Sequence, residues 1–335
     1  MSTRIAPTEI PYIHVVRVLA CVMVVCLHSL PAPELYVSEG MDASFMHLVR
    51  VLTKPCVPLF FMITGVLIFP YKNGADFISF YKKRIPRVLY PLLFWGVVYA
   101  ILPFFLDMCD FPFMLRELVM SPVKCPSQIG GILWYLFILI GIYLIIPFIN
   151  QAIYTDKKMM KIYLLIWIIS SAVVMVKPTF PDLLGQNVWV QNFDMTIYFS
   201  GYLGYLLAGY YLNNVKWGYL SLIFFISLMY FIGRTGMTFL SSGSVIISLS
   251  IFVILRGIVY PTEGMMYKFI KKISSKSFGI YLSQMVVYRV LTINIYACIG
   301  TRWYVQIFVM FITFIGAYIL TCMLSKFSFK KYIVG

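Results

Sequence analysis

Arg17 and His28 are the residues whose types and spacing point most directly to chemistry. Both lie in the first apolar segment, residues 12–30, and a charged side chain in hydrocarbon costs roughly 2.5 to 17 kcal/mol. A guanidinium donates hydrogen bonds to developing negative charge, and a neutral imidazole accepts a proton near neutral pH. Because the segment keeps both residues despite this cost, we predict that they belong to a site.

Helix geometry places both side chains on one side of this segment. Eleven residues correspond to roughly 16 Å along a helix axis. At about 100° per residue, four residues fall within about 60° of one another: His14, Arg17, Cys21 and His28. We expect this stripe to face protein or a water-filled cavity. The alternative is that Arg17 extends to the lipid headgroups and His28 caps a loop.

A second group of charges places four cations within six positions: Lys82, Lys83, Arg84 and Arg87. Arginine pairs phosphate oxygens through two parallel hydrogen bonds, so the group is a candidate clamp for the phosphates of a nucleotide-like ligand. Pro86 and Pro91 disturb the helix here, which favours a shaped site. The alternative is a basic anchor that contacts lipid phosphate.

Other polar and aromatic residues fall at or near membrane depth and are candidates for lining a cavity or binding a substrate. Besides His14, they are Arg50, Lys54, Trp134, Tyr135, Tyr281, Gln284, Tyr288 and Arg289. Hydrogen bonds between helices would equally account for the four residues at 281–289. Interfacial anchoring would account for the other four.

The elements that must position these residues are membrane helices. Of 335 residues, 61% are hydrophobic and only 12% are charged, whereas soluble domains contain about 25% charged residues. We predict an all-α polytopic membrane protein with about ten transmembrane helices around a central cavity, forming one domain over residues 1–335. The expected spans are about 12–30, 48–69, 87–106, 132–150, 161–177, 194–212, 217–235, 241–259, 277–297 and 303–324. Arg50, Lys54, Pro55 and Pro58 interrupt the second span, so we expect its helix to be broken or to begin late.

The net charge of +15 does not indicate a nucleic-acid partner. With the N-terminus in the cytoplasm, the basic groups around 82–87 and 268–276 fall in cytoplasmic loops, as the positive-inside rule requires. An even number of spans then places both termini in the cytoplasm. We therefore expect membrane lipids, rather than nucleic acid, around the protein.

The seven cysteines show no metal-ligand spacing, and we predict no metal site. Cys109 and Cys125 share an outer loop and could form a disulfide. Sequence alone leaves this pairing open, because it does not give the distance between the two Cα atoms.

Several segments resemble the bacterial membrane acyltransferase-three family. The first helix of that family carries an arginine followed eleven positions later by a histidine, as Arg17 and His28 do here. Other segments resemble the family in the same order along the chain: VPLFFMITG at 57–65, FYKKRIPRVLYP at 80–91, LWYL at 133–136, GYLGYLLAGYY at 201–211 and SFGIYL at 277–282. Two positions depart from the family pattern. The family often has an acidic residue where this chain has His14, and a histidine where it has Gln284.

The resemblance implies a ten-helix acyltransferase of the bacterial cytoplasmic (inner) membrane, with no bound cofactor and with cytoplasmic acyl-CoA, usually acetyl-CoA, as co-substrate. The acceptor would be a hydroxyl of a surface glycan or of its lipid-linked precursor. The oligomeric state, the acyl group and the acceptor position are not predicted.

The expected roles follow from the chemistry of each group. The cations at 82–87 would hold the donor phosphates, and Arg17 would stabilise a pantetheine carbonyl or the developing oxyanion. His28 would act as general base on the acceptor hydroxyl, or attack first and carry the acyl group itself. A different class, a flippase or exporter of a lipid-linked glycan, also fits intramembrane charge. However, the basic segment at 80–91 has no counterpart in the second half, and transporters often contain internal repeats.

Overall fold

The fold consists of helices packed side by side. The computed structural model describes residues 10–30, 41–69, 77–155, 157–176, 188–213, 242–299, 302–328 and 330–334. Within these ranges the chain forms helices and no strand, which confirms the all-α prediction. The α-helices are α1 (Pro11–His28), α2 (Met41–Thr53), α3 (Cys56–Ile68), α4 (Phe77–Arg84), α5 (Pro86–Phe105), α6 (Phe111–Met120), α7 (Trp134–Thr155), α8 (Lys157–Val176), α9 (Val188–Asn213), α10 (Ser242–Gly257), α11 (Met265–Ile299), α12 (Trp303–Leu324) and α13 (Lys330–Ile333), and a 3-10 turn, Gly130–Leu133, precedes α7.

Five stretches of the described residues are long and apolar enough to cross a membrane: Pro11–His28, Ser44–Ile68, Phe77–Phe105, Gly130–Gln151 and Trp303–Leu324. A shorter apolar helix covers Gly243–Gly257. These helices support an integral membrane protein, whereas the count of ten spans and the cytoplasmic termini stay predictions. The expected span at 217–235 lies outside the described residues.

Proline interrupts two of these stretches where the sequence indicated. The second span divides into α2 and α3 around Lys54 and Pro55, because proline lacks the N–H that would continue the helix and restricts the residue before it. The third divides at Ile85, and α5 begins at Pro86, where a missing N–H has no cost. Three cations occupy the last turn of α4, where the helix dipole favours positive charge.

Helix α1 packs against α3 on one side and α11 on another, so its polar stripe lies inside the protein. Helices α3 and α9 cross closely at two glycines. A Cβ at Gly65 would overlap the backbone of Leu206, and one at Gly209 would overlap the backbone of Met62. Small residues permit this approach of helix backbones in a membrane, and the crossing fixes the α3 wall beside α1.

Hydroxyl and indole groups join the helices where they are buried. Tyr99 of α5 donates a hydrogen bond to the carbonyl of Leu282 in α11, and Tyr12 of α1 donates to the Asn213 side chain of α9 at 2.6 Å. In hydrocarbon such groups have no water to bond with. These bonds therefore hold α1, α5, α9 and α11 in a fixed arrangement around the interior.

Candidate functional site

A cavity of about 890 Å³ lies among α1, α3, α5, α7, α11 and α13. This volume is near the upper end of the range of about 300–1,000 Å³ that is usual for small-molecule sites. We call it the arginine cavity. Its polar and aromatic lining residues are Arg17, Phe60, Thr64, Arg84, Arg87, Tyr90, Tyr135, Tyr143, Ser274, Ser275, Ser277, Phe278, Tyr281 and Tyr332.

The arginine cavity is open at one end and closed at the other. At the open end Arg87, Tyr90 and Tyr332 are exposed. Val24 and Tyr135 are buried and line the closed end. Its lining therefore extends from exposed residues at the surface to buried residues inside the helix bundle.

Arg17 of α1 lines the arginine cavity and is partly exposed to it. Its guanidinium lies near the phenol of Tyr135, and the Thr64 hydroxyl of α3 also lies close to that phenol. Within the described part of the chain no carboxylate forms an ion pair with Arg17. A cation so placed can bind a carbonyl or an anion that enters the cavity.

The basic group at 82–87 is divided by the fold. Arg84 and Arg87 line the open end of the arginine cavity, and both lie near the phenol of Tyr143. Lys82 and Lys83 are exposed and do not line this cavity. Arg84 ends α4 and Arg87 lies in the first turn of α5, so the two arginines flank the helix break at Ile85.

The polar stripe of α1 faces protein, as its spacing predicts. His14 Nδ1 lies 3.0 Å from the Ser274 hydroxyl, and the fully buried Cys21 thiol donates to the carbonyl of Ser277 at 3.7 Å. Both serines line the arginine cavity, whereas His14 itself does not. His14 therefore supports a cavity wall on α11 from behind.

These two contacts also align α1 with α11. From the first contact to the second, the residue number increases in both helices, so α1 and α11 run parallel. The difference between the paired residue numbers is 260 at His14 and 256 at Cys21. The offset at Cys21, which is the contact nearer to His28, places His28 close to the level of residue 284 of α11. His28 lies one turn, about 6 Å of rise, beyond Val24, which is the last α1 residue on the cavity wall.

His28 does not line the arginine cavity. It is partly exposed, and Lys54 is its charged neighbour. Arg50 in turn lies close to Lys54. We call these three residues the His28 cluster. It contains only basic groups.

Gln284 is the least satisfied polar side chain at this level. It is 1% exposed, and neither its amide oxygen nor its amide nitrogen has a hydrogen-bond partner among the described residues. By helical spacing it shares a face of α11 with Ser277, Tyr281 and Tyr288. Of these, Ser277 and Tyr281 line the arginine cavity, whereas Gln284 and Tyr288 do not.

The remaining candidates lie beside these groups. Tyr281 donates a hydrogen bond to the carbonyl of Ile132, which fixes its ring on the cavity wall. The guanidinium of Arg289 lies 5.9 Å from the ring centroid of the buried Tyr288. Trp134 packs against Tyr202 of α9, with ring centroids 5.5 Å apart, and does not line the arginine cavity.

Several cavity residues were not among the candidates from the sequence, although three of them lie within segments that resemble the family: Thr64, Tyr90 and Ser277, together with Tyr143, Ser274, Ser275 and Tyr332 outside those segments. A single tyrosine or serine in an apolar helix is an ordinary packing residue, so only the tertiary arrangement identifies them. Tyr332 lies in the short helix α13, and it and Val334 are far along the chain from the other wall residues.

Cys109 and Cys125 are both free thiols in this structure, so the open question of a disulfide is answered against pairing. Burial raises the pKa of the Cys125 thiol, which makes it less nucleophilic. Among the residues that the structure describes, no group of three or more histidine, cysteine or acidic residues could hold a metal ion.

Comparison with protein families gives a match that covers nearly the whole chain. The family model, described as an acyltransferase domain, matches residues 10–322 and includes every candidate described above except Tyr332. No curated protein and no solved structure matches the chain.

Proposed function

Because the chain belongs to the acyltransferase-three family, we propose that it transfers an acyl group, most simply acetyl, from cytoplasmic acyl-CoA to a hydroxyl of a cell-surface glycan or of its lipid-linked precursor. The proposal includes ten membrane spans, cytoplasmic termini and a place in the bacterial inner membrane. With this orientation the basic segment that contains Arg84 and Arg87 lies on the cytoplasmic side, where acyl-CoA is available.

The observation that carries the proposal is the distribution of arginines along the arginine cavity. Arg84 and Arg87 lie near Tyr143, whereas Arg17 lies near the buried Tyr135, which is about 12 Å away along α7. Acyl-CoA is a long molecule with phosphates at one end and a thioester at the other. Guanidinium pairs suit phosphate oxygens, so the open end would hold the nucleotide part while the pantetheine arm extends inward.

Arg17 is better placed for the pantetheine arm than for the oxyanion. An oxyanion donor must lie about 3 Å from the charged oxygen, and the backbones at Arg17 and His28 are separated by roughly 16 Å along the axis. Helical side chains also lean toward the N-terminus, which directs Arg17 away from His28. We therefore assign Arg17 to an amide carbonyl of the arm.

His28 would act on the acceptor. The closed end of the arginine cavity brings the thioester to within about one helical turn of the imidazole. Neutral His28 would take the proton of the sugar hydroxyl as its oxygen bonds to the acyl carbon. The thiolate of CoA leaves and is protonated, and His28 returns its proton to solvent. If His28 instead attacks first, the acyl group passes to the hydroxyl in a second step.

The test is glycan-dependent thioester cleavage by the purified full-length protein. Radiolabelled acetyl-CoA is incubated with a panel of surface glycans, and the release of free CoA thiol is followed together with label in the glycan. Both should rise together. Label retained on the protein in the absence of a glycan would favour the acyl-histidine route.

A matched pair of variants at Arg17 tests the cavity itself. Arg17→Ala should raise the KM for acetyl-CoA by about tenfold or more, since a hydrogen bond to a charged group contributes about 1.5–3 kcal/mol. Arg17→Lys keeps the charge and should recover part of this loss.

Movement of a lipid-linked glycan with no thioester cleavage would refute acyl transfer and identify a transporter.

A further inference from the structure

The open end of the arginine cavity carries two tyrosines besides its arginines. Tyr90 of α5 and Tyr332 of α13 both line the cavity, and their ring centroids lie 4.9 Å apart at an interplanar angle of 74°. Tyr90 is 43% exposed and Tyr332 is 39% exposed. Because the rings meet edge to face, aromatic surface is left accessible at the cavity opening.

Tyr332 is held in place by contacts of its own segment, residues 330–334. The Trp95 indole of α5 donates a hydrogen bond to the carbonyl of Ile333 at 2.8 Å. Ile333 is buried, and a Cβ added at Gly279 of α11 would lie 3.1 Å from the Val334 side chain. The segment therefore packs between α5 and α11, where it completes the cavity wall.

Cations beside accessible aromatic faces are the combination that proteins use for nucleotides. Arginines bind the phosphates, and aromatic rings stack on the base, which always has a π-face. Tyr90 is one helical turn from Arg87, so both elements stand on the same side of α5.

We propose that Tyr90 and Tyr332 form a subsite for the adenine base of the donor, beside the phosphates held by Arg84 and Arg87. This assignment rests on the proposed function, in which acyl-CoA is the donor. It gives the segment 330–334 a direct part in binding, although this segment lies beyond the family match.

The alternative for these tyrosines is an ordinary position at the membrane surface, where aromatic rings are common. The two possibilities differ in what the rings contact. An adenine subsite affects only donors that contain the adenosine part, whereas a surface anchor affects the protein regardless of the donor.

The experiment compares two donors on the purified full-length protein: acetyl-CoA and acetyl-phosphopantetheine, which lacks the adenosine part. Tyr332→Leu keeps the apolar bulk but removes the aromatic ring. We expect this variant to raise the KM for acetyl-CoA about tenfold, in line with the contribution of one base–aromatic stack. The KM for acetyl-phosphopantetheine should stay unchanged, and Tyr332→Phe should behave like the wild type with both donors. Phe327→Ala, which removes an exposed ring outside the cavity, is the matched control and should change neither constant.

Each outcome decides the assignment. An equal rise of both constants, or no rise for acetyl-CoA, would overturn the adenine subsite while acyl transfer by the wild type leaves the proposed function intact. A wild type that is inactive with both donors would instead refute the proposed function. If Tyr332→Leu does not fold, Tyr90→Leu with Tyr90→Phe provides the same comparison, and inhibition of the wild type by adenosine 3′,5′-bisphosphate provides a variant-free measurement. Competition with acetyl-CoA that is stronger than the competition by pyrophosphate, which has no base, supports the subsite, and equal or no inhibition contradicts it.

Discussion

The open end of the arginine cavity and the His28 cluster are both basic, yet they are built differently. At the open end Arg84 and Arg87 face a preformed space that continues inward to Arg17. In the His28 cluster the basic groups face one another, with Lys54 between His28 and Arg50, and no part of the arginine cavity reaches them.

The difference indicates for which substrate the binding site is already formed in the protein without ligands. A cavity with accessible guanidiniums can accept a donor without rearrangement. A buried amide without a partner among the described residues, that of Gln284, raises the free energy of the folded state. A polar acceptor that reaches this level would remove this cost. We therefore infer that the donor site is preformed, whereas the acceptor site is completed by its ligand.

The largest effect should come from the His28 cluster. His28→Ala should lower kcat by about 10²–10⁴-fold, the usual contribution of a positioned general base. Its KM for acetyl-CoA should stay near that of the wild type, because His28 lies outside the arginine cavity. Steady-state kinetics with both substrates measure the two constants separately.

A different kinetic result would remove the contrast between the open end of the arginine cavity and the His28 cluster. If His28→Ala raises the KM for the donor and leaves kcat intact, the imidazole belongs to donor binding and not to the acceptor chemistry. Thermal unfolding of the variant in detergent serves as the control, since a large loss of stability would make a fall in kcat uninformative about the base.

The next effect concerns the division of the four cations. Arg84→Ala combined with Arg87→Ala should raise the KM for acetyl-CoA by about 10- to 100-fold with little change in kcat, because the lost bonds are made equally in ground and transition states. Lys82→Ala combined with Lys83→Ala removes the same charge from the same segment. It should change KM much less, since these exposed lysines do not line the arginine cavity.

Equal increases in the KM for acetyl-CoA in the two double variants would argue against a specific role of the two arginines. They would mean that the whole basic segment acts through its net charge, as an anchor on anionic lipid or as a general attraction for the donor. Repeating both measurements at high salt separates these cases, because long-range attraction is screened whereas bidentate pairs are less so.

The sequence predicted those features that depend on one helix at a time. The break at Lys54 and Pro55 follows from the chemistry of proline, and the inward direction of the α1 stripe follows from helical periodicity. Whether Lys82 or Arg84 faces a cavity depends on the neighbours that α4 and α5 meet in the tertiary structure. The position of Tyr332 on the cavity wall is a clearer example of a feature that the sequence could not predict. It is fixed by Trp95 and Gly279, which are distant in sequence.

The smallest effect, but the most specific in sign, is expected at Gln284. Gln284→Leu replaces a buried amide that has no described partner by a side chain of similar size. If the amide serves only the fold, its removal should be favourable, since an unsatisfied buried polar group costs about 1–3 kcal/mol. We expect this variant to unfold at a higher temperature and yet to raise the KM for the glycan several-fold, while the KM for acetyl-CoA stays unchanged.

Thr313→Val is the matched control for this prediction, because the Thr313 hydroxyl is also buried without a described partner, on α12. It should raise the unfolding temperature in the same way and leave both KM values unchanged. A gain in stability at Gln284 with no change in glycan affinity would mean that the amide does not meet the acceptor. The acceptor would then have to approach His28 from the side of Arg50 and Lys54. Gln284 would no longer support the inference that the acceptor completes its own site.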